Sequence, residues 1–291
     1  MSDPSLLWQA RGRAIDISAR PLVMGIVNVT PDSFSDGGQF LDHTHAVRHA
    51  LDLIEQGADL LDVGGESTRP GSQPVSLDEE LRRVVPVIES LVQSGRLGPV
   101  LLSIDTSKAE VAARCLAAGA HVVNDVTAVR GDASMAAVVR DHGAGLILMH
   151  MQGTPQTMHL APRYDEVVSD VRRFFEERLQ VCADEGIAAC SVVLDPGIGF
   201  GKTDEHNWTL LARLEELRAL GRPICLGVSR KGFLGRLLGR DVGERTAGSL
   251  AVALDAVQRK AAQIVRVHDV AVTRDGLKVL TTLSERREKR L

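Results

Sequence analysis

The chain has 291 residues, of which 44% are hydrophobic and 25% are charged, and its formal net charge is −4. This balance is typical of a globular protein with a full core, and it excludes a disordered chain. A slightly acidic chain with only 3% aromatic residues has neither the basic surface nor the stacking rings of a nucleic-acid binder. No segment reaches the roughly 20 apolar residues of a membrane span. We therefore expect small-molecule substrates, and neither a nucleic-acid nor a membrane partner.

The length of the chain and its cysteines indicate the number of domains and the cellular compartment. Barrels of alternating strands and helices reach about 250 residues as one unit, so we expect a single domain over residues 1–291. Four cysteines lie in apolar stretches, without the short pair spacings of zinc or redox sites: Cys115, Cys182, Cys190 and Cys225. We interpret them as reduced core residues, which fits a cytoplasmic protein.

The first predicted element is a β-hairpin over residues 6–17, turning at Arg11-Gly12-Arg13. After it, short β-branched runs alternate with longer helical patterns. The predicted strands cover residues 22–29, 59–63, 100–104, 121–124, 145–149, 192–195, 224–228 and 264–267. The predicted helices cover residues 44–56, 77–92, 107–118, 133–141, 166–183, 208–220, 244–258 and 270–283.

Each predicted strand is followed by a predicted helix. Because a helical crossover returns the chain to the same edge of the sheet, this order predicts parallel strands. Eight such units usually close into a (β/α)8 TIM barrel, an α/β fold. The alternative is an open doubly wound sheet, but no G-x-G-x-x-G follows the first strand, where such a sheet would bind a dinucleotide.

Polar residues concentrate at the junctions where predicted strands lead into helices. The sequence there includes Asp105-Thr106-Ser107-Lys108, Asp195-Pro196-Gly197 and Ser229-Arg230-Lys231. The opposite junctions contain only small residues, namely Gly57-Ala58, Gly119-Ala120 and Gly143-Ala144. Since barrel active sites lie at the carboxyl ends of the strands, this asymmetry predicts an active site at that face.

Asp105, Asn124 and Asp195 each end a predicted strand, so we expect their side chains to converge. Two carboxylates and an amide suit a flat nitrogen heterocycle, because an amidine-like edge offers two parallel N–H donors to one carboxylate. The alternative is that these residues cap the helices that follow them.

Arg266 and His268 alternate on the last predicted strand and can face the same ligand. With Lys231 in a neighbouring loop, they form a local patch of cations that a phosphate or diphosphate requires. The alternative for Arg266 is a structural salt bridge to Asp269 or another acid.

Asn28 begins a polar loop over residues 28–38, and a glycine-rich loop follows at residues 64–71. Such loops can close over a substrate. An amide oxygen at Asn28 beside ligand phosphates suits Mg²⁺, which binds few protein groups and keeps its waters. The alternative is a turn-capping asparagine. In Asp195-Pro196-Gly197-Ile198-Gly199-Phe200-Gly201-Lys202, Phe200 can offer its ring to an aromatic substrate or simply anchor the loop.

Seven stretches in chain order resemble the dihydropteroate synthase family, the folate-pathway enzymes that sulfonamide drugs target. They run from Val23 to about Val270 and read M-G-I-V-N-V-T-P-D-S-F-S-D-G-G, D-V-G-G-E-S-T-R-P-G, S-I-D-T-S-K, L-M-H-M-Q-G, L-D-P-G-I-G-F-G-K, S-R-K and R-V-H-D-V. The resemblance implies an eight-stranded barrel, usually a homodimer. It also implies a transferase that joins p-aminobenzoate to a dihydropterin methyl diphosphate and releases pyrophosphate.

The same resemblance implies a role for individual residues. The pterin would be bound by Asp105, Asn124, Asp195 and Lys231, with Thr68 and the backbone at Val267 nearby. The diphosphate would be held by Arg266, His268 and, through Mg²⁺, Asn28. The p-aminobenzoate would be framed by Ser229, Phe200, Arg69 and Pro70. Catalysis would depend on Asp105, Asp195, Lys231, Arg266 and His268.

Two other functions share part of this pattern. A pterin-binding methyltransferase would need the carboxylates and the asparagine, but not the diphosphate cations Arg266 and His268. An inactive pterin-binding paralogue would bind the same ligand without turnover. Every motif position is present in the chain, which favours the synthase.

Overall fold

The computed structural model describes residues 6–18, 20–30, 39–68 and 71–288. It begins with an antiparallel hairpin of β1 (Leu7–Ala10) and β2 (Arg13–Asp16), in which Ala10 pairs with Arg13. Arg11 and Gly12 have φ angles of 51° and 75°, as the two central residues of a tight hairpin turn require. The hairpin expected from the sequence is confirmed.

Eight parallel strands form the second sheet. They are β3 (Leu22–Asn28), β4 (Leu60–Gly64), β5 (Leu101–Asp105), β6 (Val122–Asp125), β7 (Gly145–Met149), β8 (Val192–Asp195), β9 (Cys225–Leu226) and β10 (Ile264–Val267). Strands that follow one another in the chain are neighbours in the sheet, and β10 pairs with β3. A parallel bridge between Leu194 and Ile224 joins β8 to β9. The sheet therefore closes on itself, and the predicted TIM barrel is confirmed.

Nine α-helices lie within the described ranges. They are α1 (Gln39–Glu55), α2 (Leu77–Gln93), α3 (Ala109–Ala118), α4 (Met135–His142), α5 (Val167–Asp184), α6 (Asp204–Ala212), α7 (Gly232–Leu238), α8 (Thr246–Gln258) and α9 (Val270–Glu288). In α2, the Ser76 side chain accepts a hydrogen bond from the Glu79 N–H, which caps the first turn. The same helix buries Val84, Val87 and Leu91 at helical spacing against the barrel.

The prediction of one helix over residues 208–220 was wrong. The helix α6 begins earlier because Thr203 and His206 form a capping box at its start. At Arg213 the backbone leaves helical geometry, and a 3-10 helix continues over Leu214–Leu220. The short helix α7 was not predicted, because its sequence carries two glycines in seven residues, which lowers helix propensity.

The barrel interior is built in layers, because alternate side chains of each strand point inward. Its floor is an apolar cluster that includes Met24, Leu60, Val122 and Ile264, and the hairpin residue Trp8 packs against this cluster. Two residues further along the strands, toward their carboxyl ends, the inward side chains become polar: Asp62, Ser103, Asn124, Asp195 and Arg266. The fold thus places a polar layer directly above an apolar floor.

None of the helices in these described ranges combines the length and the apolar character that crossing a membrane requires.

Candidate active site

The centre of the polar layer is Asp62, whose side chain is fully buried. Its carboxylate accepts hydrogen bonds from Ser103 Oγ at 2.6 Å, Asn124 Nδ2 at 2.9 Å and Arg266 Nε at 2.6 Å. Asp62 therefore fixes the orientation of two side chains that the sequence singled out, Asn124 and Arg266. Neither Asp62 nor Ser103 was among the predicted site residues. The available signal was an aspartate at an inward position of the apolar strand Leu60–Gly64.

Arg266 also donates to the second carboxylate, from Nη2 to Asp105 Oδ2 at 2.9 Å. One guanidinium thus faces two carboxyl groups, of which Asp62 is fully buried and Asp105 is partly exposed at the mouth. Burial, together with the neighbouring Asp62, raises the pKa of Asp105 to about 8, even though Arg266 acts in the opposite direction. Burial and the neighbouring carboxylate thus disfavour the charged form of Asp105, although the Arg266 guanidinium contacts it.

The salt-bridge alternative for Arg266 is realised with Asp62 and Asp105, not with Asp269. Asp269 accepts instead from Arg230 Nε at 3.0 Å. Because the acids that Arg266 contacts lie inside the barrel mouth, its salt bridges and a ligand-binding role are compatible.

Substitution of Asp105 by Asn is expected to change the pH dependence of folding stability. A buried carboxyl whose pKa is raised to about 8 binds a proton in the folded state that the unfolded chain releases near pH 4. Between these pH values the free energy of unfolding should fall as pH rises, by at most about 1.4 kcal/mol per pH unit for this proton. Urea unfolding at several pH values measures the slope, which Asp105→Asn should reduce. A variant with the same slope as the parent would contradict the assignment.

Asp195 and Lys231 form the other side of the mouth. Asp195 is buried, and its Oδ1 accepts from the Gly197 N–H at 2.7 Å. A Cβ on Gly227 would lie 3.8 Å from Asp195 Oδ2 and 3.9 Å from Arg266 Cβ, so the carboxylate and the arginine flank this glycine. Burial raises the pKa of Asp195, against the opposing effect of the Lys231 charge.

Lys231 connects this side of the mouth to the loop after β8. Its Nζ donates to the carbonyl oxygen of Ile198 and lies 4.3 Å from the centre of the Phe200 ring, a cation–π contact. Burial lowers the pKa of Lys231 to about 8, although Asp195 acts in the opposite direction. Phe200 itself is half-buried and packs against a cluster that includes Met149 and Met158. The ring is therefore held between apolar side chains and an amine.

Ser229 and His268 meet where β9 and β10 lead into their loops. The Ser229 Oγ lies 3.1 Å from the His268 N and 3.0 Å from its Nδ1, so the serine orients the histidine ring. Val267, one residue earlier, is buried, and Thr68 is half-buried at the end of the described part of its loop. Arg69, Pro70 and the loop over residues 31–38 lie outside the described residues.

Asn28 ends β3 at the rim of the mouth, beside Gly64 of β4. Within the described residues, no group of three or more His, Cys, Asp or Glu side chains could hold a metal ion. A single half-buried amide oxygen fits only an ion that takes most of its ligands from a bound phosphate and from water. Among the described residues, Asn28 is therefore compatible with Mg²⁺ that arrives with a diphosphate.

The base of the glycine-rich loop is anchored by charged groups that were not among the predicted site residues. Lys108 Nζ lies 2.5 Å from both Glu66 Oε2 and Glu80 Oε2. Arg83 donates to the Gly65 carbonyl oxygen at 2.8 Å. Glu80 is 1% exposed, and its Oε1 has no hydrogen-bond partner, so Lys108 is the cation that compensates its buried charge. These contacts fix the start of the loop that leads from β4 to Thr68.

A Lys108→Met variant is expected to lose about 2 kcal/mol of folding stability, because Glu80 would keep a buried charge without its counter-ion. Denaturant unfolding measures this change. The matched control is Lys108→Met combined with Glu80→Gln, in which most of the loss should return. If the single variant is as stable as the parent chain, the ion pair is not what holds this loop base.

Comparison with known proteins identifies the family that shares this architecture. The model of a family described as pterin binding enzyme matches residues 24–268. The dihydropteroate synthase of Escherichia coli strain K12 is 46% identical over 282 residues, which cover 97% of this chain and 98% of the relative. Barrel, polar mouth and family model together define an enzyme of the pterin-binding class.

Solved structures agree with this class. A dihydropteroate synthase of Xanthomonas albilineans with 4-aminobenzoic acid has a TM-score of 0.89 and 48% identity, and the match covers 96% of this chain and 98% of that one. A structure from the same organism in complex with 7,8-dihydropteroate has a TM-score of 0.85 and 45% identity, with the same coverage. The chain belongs to the dihydropteroate synthase family, whose members are transferases of folate biosynthesis. The family and the function expected from the sequence are confirmed.

Proposed function

We propose that this chain joins (7,8-dihydropterin-6-yl)methyl diphosphate to p-aminobenzoate, and that 7,8-dihydropteroate and pyrophosphate are released. The observation that carries the proposal is the hydrogen-bonded network of Asp62, Asp105, Asn124 and Arg266 at the base of a mouth whose rim holds Lys231 and His268. Such a site offers acceptors for a heterocycle at its base and cations for an anion above. The solved relatives that contain 4-aminobenzoic acid and 7,8-dihydropteroate support the same assignment of substrates.

The pterin ring is assigned to Asp195, Asp105 and Asn124. Asn124 donates its amide N–H to Asp62, so its carbonyl oxygen remains to accept from the ring. Asp195 accepts from Gly197 with Oδ1, which leaves Oδ2 for the amidine edge of the pterin. Asp105 is the second acidic side chain that can face the ring, and burial raises the pKa of its carboxyl group. Lys231 completes the pterin subsite.

The diphosphate is assigned to Arg266, His268 and Asn28. Arg266 uses Nε and Nη2 on the carboxylates of Asp62 and Asp105, which leaves Nη1 to face an anion at the mouth. Ser229 holds the His268 ring in place beside it. When Mg²⁺ is bound, it supplies charge neutralisation at the phosphate oxygens, and Asn28 is the residue that would ligate it.

The p-aminobenzoate is assigned to Phe200, Ser229, Arg69 and Pro70, while Thr68 and the Val267 backbone are assigned to the neighbourhood of the pterin. The Phe200 ring offers an apolar face to the benzene ring. In the bond change, the C–O bond to the diphosphate breaks and a C–N bond to the amine forms, and the amine proton that is lost passes to the released pyrophosphate or to solvent. Arg266, His268 and Lys231 stabilise the leaving pyrophosphate, while Asp105 and Asp195 favour a cationic pterin.

We further propose that the chain acts as one domain, as a homodimer and in the cytoplasm. Large exposed apolar side chains of the described residues concentrate near the last three helices, among them Leu237, Val242, Val272, Val279 and Leu283, and such a surface suits a partner subunit. The four cysteines are free, which agrees with a reducing compartment. Sedimentation velocity tests the dimer.

The reaction is tested by measuring pyrophosphate release from the dihydropterin methyl diphosphate with Mg²⁺, in the presence and absence of p-aminobenzoate. Release that depends on the amine and yields dihydropteroate is the expected result. Tight pterin binding without release would instead identify an inactive pterin-binding protein. Release without the amine would identify a transferase of different specificity.

A further inference from the structure

Lys202 is a buried amine that the reaction described above does not use. It closes the loop that runs from Asp195 at the end of β8 to the start of α6, and its side chain is only 9% exposed. Its Nζ lies 2.9 Å from the Gly197 carbonyl oxygen, 3.1 Å from the Phe200 carbonyl oxygen and 2.9 Å from His150 Nδ1. A single side chain therefore holds both ends of the turn that carries Phe200 and ties it to the chain leaving β7.

The turn between Gly197 and Gly201 lies directly on that chain. Both glycines have positive φ angles, 63° and 60°. A Cβ at Gly197 would collide with the His150 carbonyl oxygen, and one at Gly201 would collide with the Gln152 carbonyl oxygen. The two backbones thus approach too closely for side chains to lie between them. The amine of Lys202 links the two segments, because it contacts His150 after β7 and the carbonyl oxygens of Gly197 and Phe200 in the turn.

We propose that Lys202 is a positioning residue that sets the place of the Phe200 ring, and through it the affinity of the site for p-aminobenzoate. This inference rests on the proposed function of the mouth. On the upper side, Lys231 Nζ contacts the face of the same ring. On the lower side, the Phe200 carbonyl oxygen is bound to Lys202. Two amines therefore hold Phe200, Lys231 at its ring and Lys202 at its backbone carbonyl oxygen.

The positioning role does not depend on the charge of Lys202. Burial and the charge of Lys231 lower the pKa of Lys202. The two carbonyl oxygens need only two N–H groups, which a neutral amine also has. Burial lowers the pKa of His150 to about 2, so its ring is neutral and can pair with either form of the amine. The hydrogen-bond geometry is therefore sufficient to carry the role.

A double-mutant cycle between Lys202→Met and Phe200→Leu tests the inference. Lys202→Met should raise the KM for p-aminobenzoate about tenfold, with a smaller change in kcat and in the KM for the pterin diphosphate. In the Phe200→Leu background the same change should alter the KM for p-aminobenzoate less than twofold, because the ring it positions is gone. Lys202→Gln keeps two N–H donors on a shorter side chain, so we expect a smaller rise and a folded variant if Lys202→Met is unstable.

The matched control is Tyr164→Phe. The Tyr164 hydroxyl donates to the Gly201 carbonyl oxygen of the same loop at 2.7 Å but does not contact Phe200's own backbone. Its removal should leave the KM for p-aminobenzoate within twofold of the parent value.

Two results would overturn the inference. One is an unchanged KM for p-aminobenzoate in both Lys202 variants, and the other is an equal rise in the parent and Phe200→Leu backgrounds, which would indicate a general packing role. The affinity of all variants for pteroate, measured by calorimetry, tests the same coupling without turnover. If the parent chain binds pteroate but releases no pyrophosphate, the proposed reaction fails while the role of Lys202 is still decided by these affinities.

Discussion

An Asp195→Asn variant is expected to lose pterin affinity and turnover together, each by about a hundredfold, which corresponds to about 3 kcal/mol. The substitution keeps the shape of the side chain and an oxygen that can accept from the Gly197 N–H. The other carboxylate oxygen, Oδ2, is however replaced by an NH₂ group, which then faces the N–H donors of the pterin edge. Calorimetric binding of a dihydropterin and steady-state kinetics measure the two losses.

The control for this variant is its stability. Because Asp195 is buried and its pKa is raised by burial, a neutral amide at this position should fold at least as well as the parent at pH 8. Loss of activity without loss of stability then identifies a ligand contact. Unchanged pterin affinity in a folded Asp195→Asn protein would refute the role assigned to this carboxylate.

An Arg266→Met variant has the largest expected effect on stability. The guanidinium is the cation that contacts both Asp62 and Asp105, and Asp62 is fully buried. Removal of one partner from such a network typically costs 3–5 kcal/mol, so we expect a loss of at least about 3 kcal/mol at pH 8. Without the arginine the carboxyl groups take up protons more readily, so the loss should be smaller at pH 5 than at pH 8.

Arg266→Met combined with Asp62→Asn provides the matched rescue. The amide removes one buried charge while it keeps an oxygen for Ser103 Oγ, so about half of the lost stability should return. Turnover should not return, because the cation for the diphosphate is still absent. A double variant no more stable than Arg266→Met would show that the loss comes from packing and not from uncompensated charge.

The fold was largely predictable because its signals are local. The hairpin turn, the eight apolar runs and the polar residues at strand ends could each be read from a few consecutive residues. The candidate ligand residues followed from the same rule, since Asp105, Asn124, Asp195 and Arg266 all lie near the carboxyl ends of strands. Roles for these residues stay proposals until the variants are measured.

The supporting contacts could not be predicted in this way. Asp62 is linked to Arg266 across 204 positions of the chain, and Lys202 to His150 across 52. Such pairs arise only when the sheet closes, and no local pattern reports them. The break at Arg213 was missed for a different reason, because the apolar spacing of residues 208–220 is compatible with an uninterrupted helix.

The floor of the barrel closes the end opposite the mouth. Trp8 of the hairpin is fully buried, donates from Nε1 to the Ser191 carbonyl oxygen at 2.9 Å, and packs against the inward residues of the strands. A segment that precedes the first barrel strand in the chain thus completes the apolar layer below Asp62. The polar layer can therefore meet substrates from one end of the barrel while an indole that never touches them fills the other.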